Sequence, residues 1–403
     1  MPLLSVCIPA YNSGAHISCC LESVLSQDMG DVEVVVANDG STDGTGAILE
    51  EFSSRDKRFK VLELARNSGT HCARKAAALA SSGEYVLFLD SDDALVPNSL
   101  GVLLAAVQRS HADYFHFGLE VRGGESVDDS VAFGMQSQAN APLAISCMGD
   151  VYRYAYEPCG GYVMDWRLTQ RVYAGQAVRA AFASMGDERM CYGEDAYEHF
   201  VLCDFVSHPV VDNAIVAYRY NLGAGTSDSL ELTHGKFLAM AESFGRVANG
   251  AECFAEGRAD TRGSVAAAGL RRKASELLIN DWRERTGHDI SLLDRAAECL
   301  GARAIAAEVF RIVRDDAYAD WDHGVCISDE EPYLAWFDYA KGLVENEADL
   351  DEYCLEMREA AGNHIADLRQ RSASLAEAGA EVPVPTTTSA LGKLRGLLAR
   401  LRS

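Results

Sequence analysis

Four short apolar runs recur through the first hundred residues: LLSVCI (3–8), VEVVVA (32–37), FKVLEL (59–64) and YVLFL (85–89). Each is apolar on both alternating faces, so a strand made from it has to be covered on both sides. Between them, GAHISCCLESVLSQ, TGAILEEFSSR and HCARKAAALASS place apolar residues three and four apart, the period of a helix with one buried stripe. Strand and helix therefore alternate, which predicts an α/β domain built on a mostly parallel, Rossmann-like sheet with helices on both faces. Ligands of such sheets bind outside the carboxyl ends of the strands. The four runs are followed by Pro9-Ala10-Tyr11-Asn12, Asn38-Asp39-Gly40-Ser41, Arg66-Asn67-Ser68-Gly69 and Asp90-Ser91-Asp92-Asp93. All four polar clusters are expected along one edge of one sheet.

At 403 residues the chain exceeds the usual size of one hydrophobic core, so two domains are expected. A formal charge of −24 argues against nucleic acid as a partner, because a phosphate backbone demands a basic face. An anionic ligand must then be held by local cations or a metal. The twelve cysteines contain no CxxC pair, so neither a zinc site nor a redox motif is signalled, and reduced thiols of a cytosolic protein are expected. With no basic segment leading into an apolar one at the start, and no apolar run near 18 residues, neither secretion nor membrane spanning is expected.

After residue 100 the pattern predicts a helix over 97–109, a strand in ADYFHFGLEV, a loop over the Gly/Ser/Asp-rich stretch 123–142, a helix near 174–186 and a late strand in PVVDNAIVAYRYN. From 229 to 378 the signal is almost wholly helical, as in GLRRKASELLINDWRER. The expected division is a site-bearing domain over 1–226, an all-α domain over 227–379, and a linker with a basic tail helix over 380–403. In that tail Leu391, Leu394, Leu398 and Leu401 share one helical face, and Lys393, Arg395, Arg400 and Arg402 lie outside it. Such a helix suits contact with a membrane surface through residues 390–403; a solvated or partner-docking helix is the alternative.

Three carboxylates in the four residues Asp90 to Asp93 repel one another, and a strand end would not carry them for stability unless a cation or ligand hydroxyls offset the repulsion. A hard divalent ion, Mg²⁺ or Mn²⁺, takes carboxylate oxygens and commonly brings substrate phosphates with it. The alternative is that Asp92 or Asp93 caps the helix from Pro97 and the others are turn residues. Asp39 and Asp43 in NDGSTDGT are likewise common turn and cap residues. Beside the Asp90–Asp93 edge, Asp39 is also a credible acceptor for donor groups on a base or ribose.

SVCIPAYNSGAHISCCLESVLSQ, VEVVVANDGSTDGTGAILEEF and NSGTHCARKAAALASSGEYVLFLDSDDALVPN, in that order, resemble the N-terminal half of a family 2 glycosyltransferase of GT-A fold. The resemblance is dense over residues 3–110, extends through YGEDAYEHFVL and VAYRYN to about 225, and does not cover the helical region. It implies that Pro9, Ala10 and Tyr11 line the nucleotide pocket, that Asp39 contacts the base, and that Arg74 helps hold the nucleotide. Lys75 stands where the family often has Asn. Asp90 and Asp92 match the D-x-D signature, the first expected near the ribose and the second on the metal, with both as candidate metal ligands. Glu194-Asp195 matches the family's E-D pair, with Asp195 as the base of an inverting transfer and Glu194 beside it on the donor. The alternative for that pair is complementing the N-terminal dipole of the helix it begins.

Tyr218, Arg219 and Tyr220 match a strand end that in many relatives assists with the donor diphosphate, and GAGTSD approximately matches the segment next to that strand end in the family. His208 and Asp93 stay open as further metal contacts. The resemblance thus implies a metal-dependent enzyme using Mn²⁺ or Mg²⁺ to move sugar from a nucleoside diphosphate, most plausibly UDP. The acceptor would be a glycan or lipid-linked glycan at the cytoplasmic membrane face. Two alternatives are a nucleotidyltransferase, which should show a basic, glycine-rich loop where PAYNSGAH stands, and a silent nucleotide-sugar-binding protein, which should have lost one of the acidic motifs.

Overall fold

The computed structural model describes residues 1–27, 31–124, 128–161, 163–224, 232–258, 261–322, 331–344 and 350–377. The expected alternation appears as β1 (Leu4–Ala10), α1 (Ile17–Leu25), β2 (Val32–Asn38), α2 (Thr45–Arg55), β3 (Phe59–Glu63), α3 (Thr70–Ala80) and β4 (Tyr85–Phe88). Next come β5 (Ala94–Leu95), α4 (Leu100–Ser110), β6 (Tyr114–Gly123), α5 (Asp129–Ala139), α6 (Met148–Tyr156), β7 (Arg171–Ala174), α7 (Gly175–Ser184), α8 (Glu194–Leu202) and β8 (Pro209–Leu222). The remainder is helical: α9 (His234–Glu256), α10 (Thr261–Arg285), α11 (Ser291–Leu300), α12 (Ala302–Asp322), α13 (Pro332–Leu343) and α14 (Glu352–Glu377).

The strands form one sheet in the order β3-β2-β1-β4-β7-β6-β8-β5. β1 to β4 run parallel, with Val6 opposite Val34 on one side and Leu87 on the other. β6 and β8 are also parallel, while β7 is antiparallel to both its neighbours and β5 to β8. From β1 the chain builds outward to β2 and β3 on one side and to β4 on the other. β1 is thus where the strand order reverses, the place at which an open α/β sheet leaves a crevice.

Alternation along the strands divides the side chains between two cores. Cys7, Val35, Val86 and Phe88 enter one core with residues of α3, α7 and α8; Val6, Ile8, Val34, Val36 and Leu87 enter another with α1, α2 and α4. All nine are essentially inaccessible, and each such burial contributes about 1.5–3 kcal/mol. A charge in either set, for instance Val35→Asp, would have no partner and would break the packing.

Two local expectations change. The stretch 123–142, expected as a loop, contains α5. Its Asp128 accepts a hydrogen bond from the Ser130 N–H at 2.7 Å, capping the helix start. Its polar residues serve β6 where the short β7 has ended: Gln136 Oε1 accepts from the Val121 N–H, and the Asn140 amide exchanges two hydrogen bonds with Leu119. Those backbone groups would otherwise lack a partner. The helix expected from Pro97 begins at Leu100, and neither Asp92 nor Asp93 caps it. Gln27 Oε1 takes the N–H groups of Ser99 and Leu100 instead.

The described residues fall into two compact units, one drawn from Met1–Leu230 and Arg246–Leu270, the other from Glu231–Gly245 and Arg271–Ala399. This differs from a single boundary after residue 226. Val247, Ala251, Ala255, Ala266, Ala267 and Leu270 complete the core that contains α8. Two glycines permit the approach: a Cβ on Gly250 would sit 3.0 Å from the Tyr197 ring, and one on Gly269 would collide with the Tyr156 carbonyl. Within the other unit, α14 turns Cys354, Met357, Ala361, Ile365 and Leu368 inward at helical spacing, and Trp282 is fully buried. All described cysteines are free thiols. Among the described residues no helix is long and apolar enough to cross a membrane. The tail helix expected over 390–403 lies outside the described residues.

Candidate active site

The loops after β1 and β2 are clasped to each other. The Asn12 N–H donates to Ser41 Oγ at 3.0 Å and Asn12 Oδ1 accepts from the Thr42 N–H at 2.8 Å, with Asn12 itself at φ 49°, a conformation asparagine tolerates. Ser13 N–H reaches Thr45 Oγ1 and Gly14 N–H reaches Asp43 Oδ2. Asp43 also accepts from the Thr45 hydroxyl and N–H, so it is a turn and cap residue. Asp39, buried at the end of β2, accepts the N–H of Ser68 on one oxygen and of Gly69 on the other, both at 2.8 Å. Each carboxylate oxygen keeps a lone pair for a ligand donor. Pro9 and Ala10 close β1 in the crevice, and Tyr11 stands 45% exposed beside them.

The turn after β4 is pinned from β8. Asp93 is buried and accepts from the Tyr218 hydroxyl at 2.6 Å and the Asn221 N–H at 2.7 Å; the same hydroxyl receives the Asp90 N–H at 3.3 Å. Asp93 therefore ties the turn to the sheet. Burial, with Asp90 and Asp92 adding, pushes its carboxyl well above the ordinary range. Ser91 Oγ meets Ser13 Oγ at 2.7 Å, linking this turn to the β1 loop. Asp92 borders a cavity of about 540 Å³ that also touches His16, Arg122, Arg219 and Asn221.

Asp90 points the other way, toward α3 and α8. Arg74, on α3 and almost wholly buried, donates from Nη1 to Asp195 Oδ1 at 2.9 Å and to Glu198 Oε2, and from Nη2 to Asp90 Oδ1 at 3.3 Å. Glu194 Oε1 lies 3.8 Å from Nη1. Four carboxylates thus converge on one guanidinium, whose Nε has no hydrogen-bond partner. Burial opposes the charge of Arg74, but Glu198, Asp195, Asp90 and Glu194 outweigh it and hold the proton more tightly still. The carboxylates show the strain. Asp90 is pushed up to about 7 by burial, with Arg74 opposing and Asp195 and Asp92 adding. Glu194 is driven well up by burial and by Asp195.

Helical geometry assembles this cluster. His71 and Arg74 are three apart on α3; Glu194 and Asp195 open α8, and Glu198 comes four and three residues later, on the same face. Gly193, at φ 72°, turns the chain into α8, so the first two acidic residues sit at the positive end of the helix dipole. Glu198, fully buried, also receives His71 Nδ1 at 2.8 Å. His71 and Glu198 belong to none of the motifs that mark the site in the sequence. Their helical spacing from Arg74 and Asp195 is the only signal the sequence offers for them.

Other candidates fall elsewhere. His208 precedes β8 at the opposite edge of the sheet, where its N–H donates to Asp113, the residue before β6. Arg219 is paired with Glu120, and the Tyr220 ring lies 5.5 Å from the Arg167 guanidinium. Lys75 reaches the carbonyl of Met185 and the carboxylate of Asp187. In GAGTSD, residues 225–228 lie outside the described residues. Among the described residues no three His, Cys, Asp or Glu side chains are grouped as a ready-made metal cage. Asp90 and Asp92 offer hard oxygen donors, the type Mg²⁺ and Mn²⁺ accept alongside substrate phosphates and water.

Residues 5–151 match the family model described as Glycosyl transferase family 2. The chain is 35% identical over 111 residues to glycosyltransferase GlyG of Streptococcus pneumoniae serotype 4, covering 28% of this chain and 37% of that protein. It is 31% identical over 222 residues to the uncharacterized glycosyltransferase EpsJ of Bacillus subtilis, covering 55% of this chain and 62% of EpsJ. To the putative teichuronic acid biosynthesis glycosyltransferase TuaG of B. subtilis it is 44% identical over 92 residues, 23% of this chain and 36% of TuaG. The matches thus span between about a third and three-fifths of these relatives' lengths. Among solved structures, S. aureus TarS 1–349 in complex with UDP-GlcNAc superposes with a TM-score of 0.51 at 19% identity, covering 94% of this chain and 93% of that one. The complex of the same fragment with UDP gives a TM-score of 0.50 at 18% identity, covering 94% and 92%. At such identities the likeness is one of fold.

Proposed function

We infer that this chain, which carries a family 2 glycosyltransferase domain over residues 5–151, moves a sugar from a nucleoside diphosphate, UDP by preference, to a hydroxyl of a glycan or lipid-linked glycan. One observation carries the reading: Asp39, the Asp90–Asp92 turn and Asp195 come from three separate segments to the carboxyl edge of one sheet, with Arg74, from a fourth, among them. The UDP and UDP-GlcNAc held by TarS, and the name of TuaG, support the donor and a cell-envelope product.

In this reading the nucleotide lies in the crevice at the end of β1. Pro9, Ala10 and Tyr11 line it, Asp39 accepts from the base, and Asp90 faces the ribose while Arg74 and Glu194 border the donor. Asp92, with Asp90, would hold a Mg²⁺ or Mn²⁺ ion, whose chemistry there is to offset the charge of the leaving diphosphate. The acceptor oxygen attacks the anomeric carbon as the bond to the diphosphate breaks, and the diphosphate leaves with the electron pair. Asp195 takes the hydroxyl proton. Attack opposite the leaving group inverts the anomeric configuration. One oxygen of Asp195 accepts from Arg74 Nη1, a charge-assisted bond that aims the carboxylate.

The test is a panel of nucleoside-diphosphate sugars with Mn²⁺, read by thermal unfolding and by nucleotide release. A donor that binds the folded protein raises its apparent stability, by about 2.7 kcal/mol at a hundredfold excess over Kd. Stabilisation and release with at least one UDP-sugar are expected. Protein that is neither stabilised by any of the panel nor releases nucleotide would contradict the reading.

A further inference from the structure

His71 and Glu198 lie behind the proposed machinery, and no step of the transfer uses them. His71 is fully buried, with Nδ1 2.8 Å from Glu198 Oε1 and Nε2 3.1 Å from the Gly186 carbonyl oxygen. A carbonyl only accepts, so Nε2 has to carry a hydrogen. An ionised carboxylate also only accepts, so Nδ1 has to carry one as well. Glu198 gives its other oxygen to the Arg74 guanidinium, and a carboxylate that accepts on both sides makes His71 an imidazolium. Its own environment agrees: burial alone would strip the proton, and the hydrogen bond and charge of Glu198 outweigh burial to raise the pKa.

The other charged groups near His71 are Arg74 and, at the loop before α8, Asp187 with its partner Lys75. Glu198 therefore sits between two cations. Arg74 alone faces four carboxylates, and without an anchor it would settle on whichever of Asp90 or Asp195 drew it harder. Glu198, three residues after Asp195 on the same helix, gives the guanidinium a fixed third point.

We propose that His71 and Glu198 are positioning residues: the charged pair holds Arg74 so that Nη1 reaches Asp195 and Nη2 reaches Asp90 at the same time. The chain His71–Glu198–Arg74 joins α3 to α8 and fixes the direction of the Asp195 carboxylate toward the acceptor proton. The proposal rests on Asp195 being the base, and the two can fail separately.

The experiment compares the full-length protein with E198Q, H71Q and D195N. Thermal unfolding checks that each is folded. ¹⁵N NMR reads the His71 ring at about pH 7.5, where the ordinary histidine is neutral. UDP release from UDP-GlcNAc, UDP-glucose and UDP-galactose with Mn²⁺ gives kcat and KM. The expected ring signal is an imidazolium in the parent and in D195N, and a neutral ring in E198Q. Folded E198Q and H71Q should lose roughly 10–100-fold in kcat with KM changed less than about 3-fold, as for loss of a supporting shell. A neutral His71 ring in the parent overturns the proposal, and so does full kcat in E198Q or a loss confined to KM. Full turnover by D195N would remove the base assignment, while the ring signal still decides whether the charged pair exists. Should the parent release UDP from none of the three sugars, that same signal decides alone.

Discussion

Two buried charge clusters flank α8, and they are built on opposite plans. Glu198 faces Arg74 and the four-carboxylate cluster. Its neighbour His199 faces Tyr114 and Tyr156, whose hydroxyls lie 3.1 and 2.6 Å from its two ring nitrogens. Behind Tyr114, Arg171 is completely buried. It donates from Nε to the Tyr114 hydroxyl at 2.6 Å, from Nη1 to the Arg167 carbonyl, and from Nη2 to the Asp165 carbonyl at 2.6 Å. Burial alone would raise Asp165, but Arg167 and Arg171 outweigh it and hold the carboxyl far below its usual range. In this second cluster each guanidinium nitrogen of Arg171 has an acceptor, and the carboxylate is more comfortable charged than in water. Around Arg74 one nitrogen lacks a partner, while Asp90 and Glu194 resist ionising. A cluster that serves only the fold satisfies itself. One whose buried carboxylates are pushed away from their ordinary pKa marks a candidate functional site, and in the proposed reading the excess negative charge would be offset by a cation arriving with the substrate.

The contrast can be broken most forcefully at Arg171. Arg171→Met would leave Asp165 and the Tyr114 hydroxyl short of a buried partner, and the expected loss of unfolding free energy is about 3–5 kcal/mol, measured by chemical denaturation. Donor binding per folded molecule should be unchanged. A loss under about 1 kcal/mol would mean that the second cluster is no more structural than the first.

Acid should separate the clusters by sign. His116, buried beside Asn213, is held down to about 3 by burial and by Arg171. Its folded pKa is below the unfolded value near 6.5, so the stability it contributes is complete above 6.5 and is lost as pH falls from 6.5 toward 3. The slope is about 1.4 kcal/mol per pH unit, and His199, also depressed, acts in the same direction. Asp90 does the opposite. Its folded pKa, about 7, exceeds the unfolded value, so ionising it destabilises the fold as pH rises toward 7. Asp90→Asn should therefore be more stable than the parent at pH 8, with the advantage shrinking toward pH 4. Denaturation curves across that range, without metal, read both signs.

The smallest effect is the most diagnostic of excess charge. Glu194→Gln removes one of four crowded carboxylates, and a gain of about 0.5–2 kcal/mol in stability is expected together with weaker turnover. If Glu194→Gln destabilises the protein, the cluster is balanced rather than strained.

Legibility in the sequence divides along similar lines. The parallel core of the sheet can be read because its strands are continuous apolar runs and its helices keep strict spacing. A GT-A sheet with helices after it is accordingly expected. β7 cannot be read, since the four residues of RVYA are too short to show a period. α5 is hidden by amide and hydroxyl residues that look like loop because their partners on β6 are invisible in one dimension. The acidic motifs stand out by spacing, and the structure brings Asp90, Glu194 and Asp195 to Arg74. Glu198 and His71 do not, because a buried pair 127 residues apart declares itself only when α3 meets α8. Asp93 shows the converse. In sequence it resembles a third metal ligand or a cap, and Tyr218 and Asn221 give it a different occupation.

The assigned chemistry stands or falls on Asp195. Replacing it by Asn keeps the side-chain shape and removes the group that can accept a proton. Nucleotide release and sugar transfer would be measured beside Mn²⁺–UDP binding on the same preparation. The expected result is a fall in turnover of roughly 10²–10⁴-fold with UDP affinity changed less than about 3-fold. Turnover equal to that of the parent, from a variant that still binds UDP, would contradict the claim that the carboxylates gathered on Arg74 carry the chemistry.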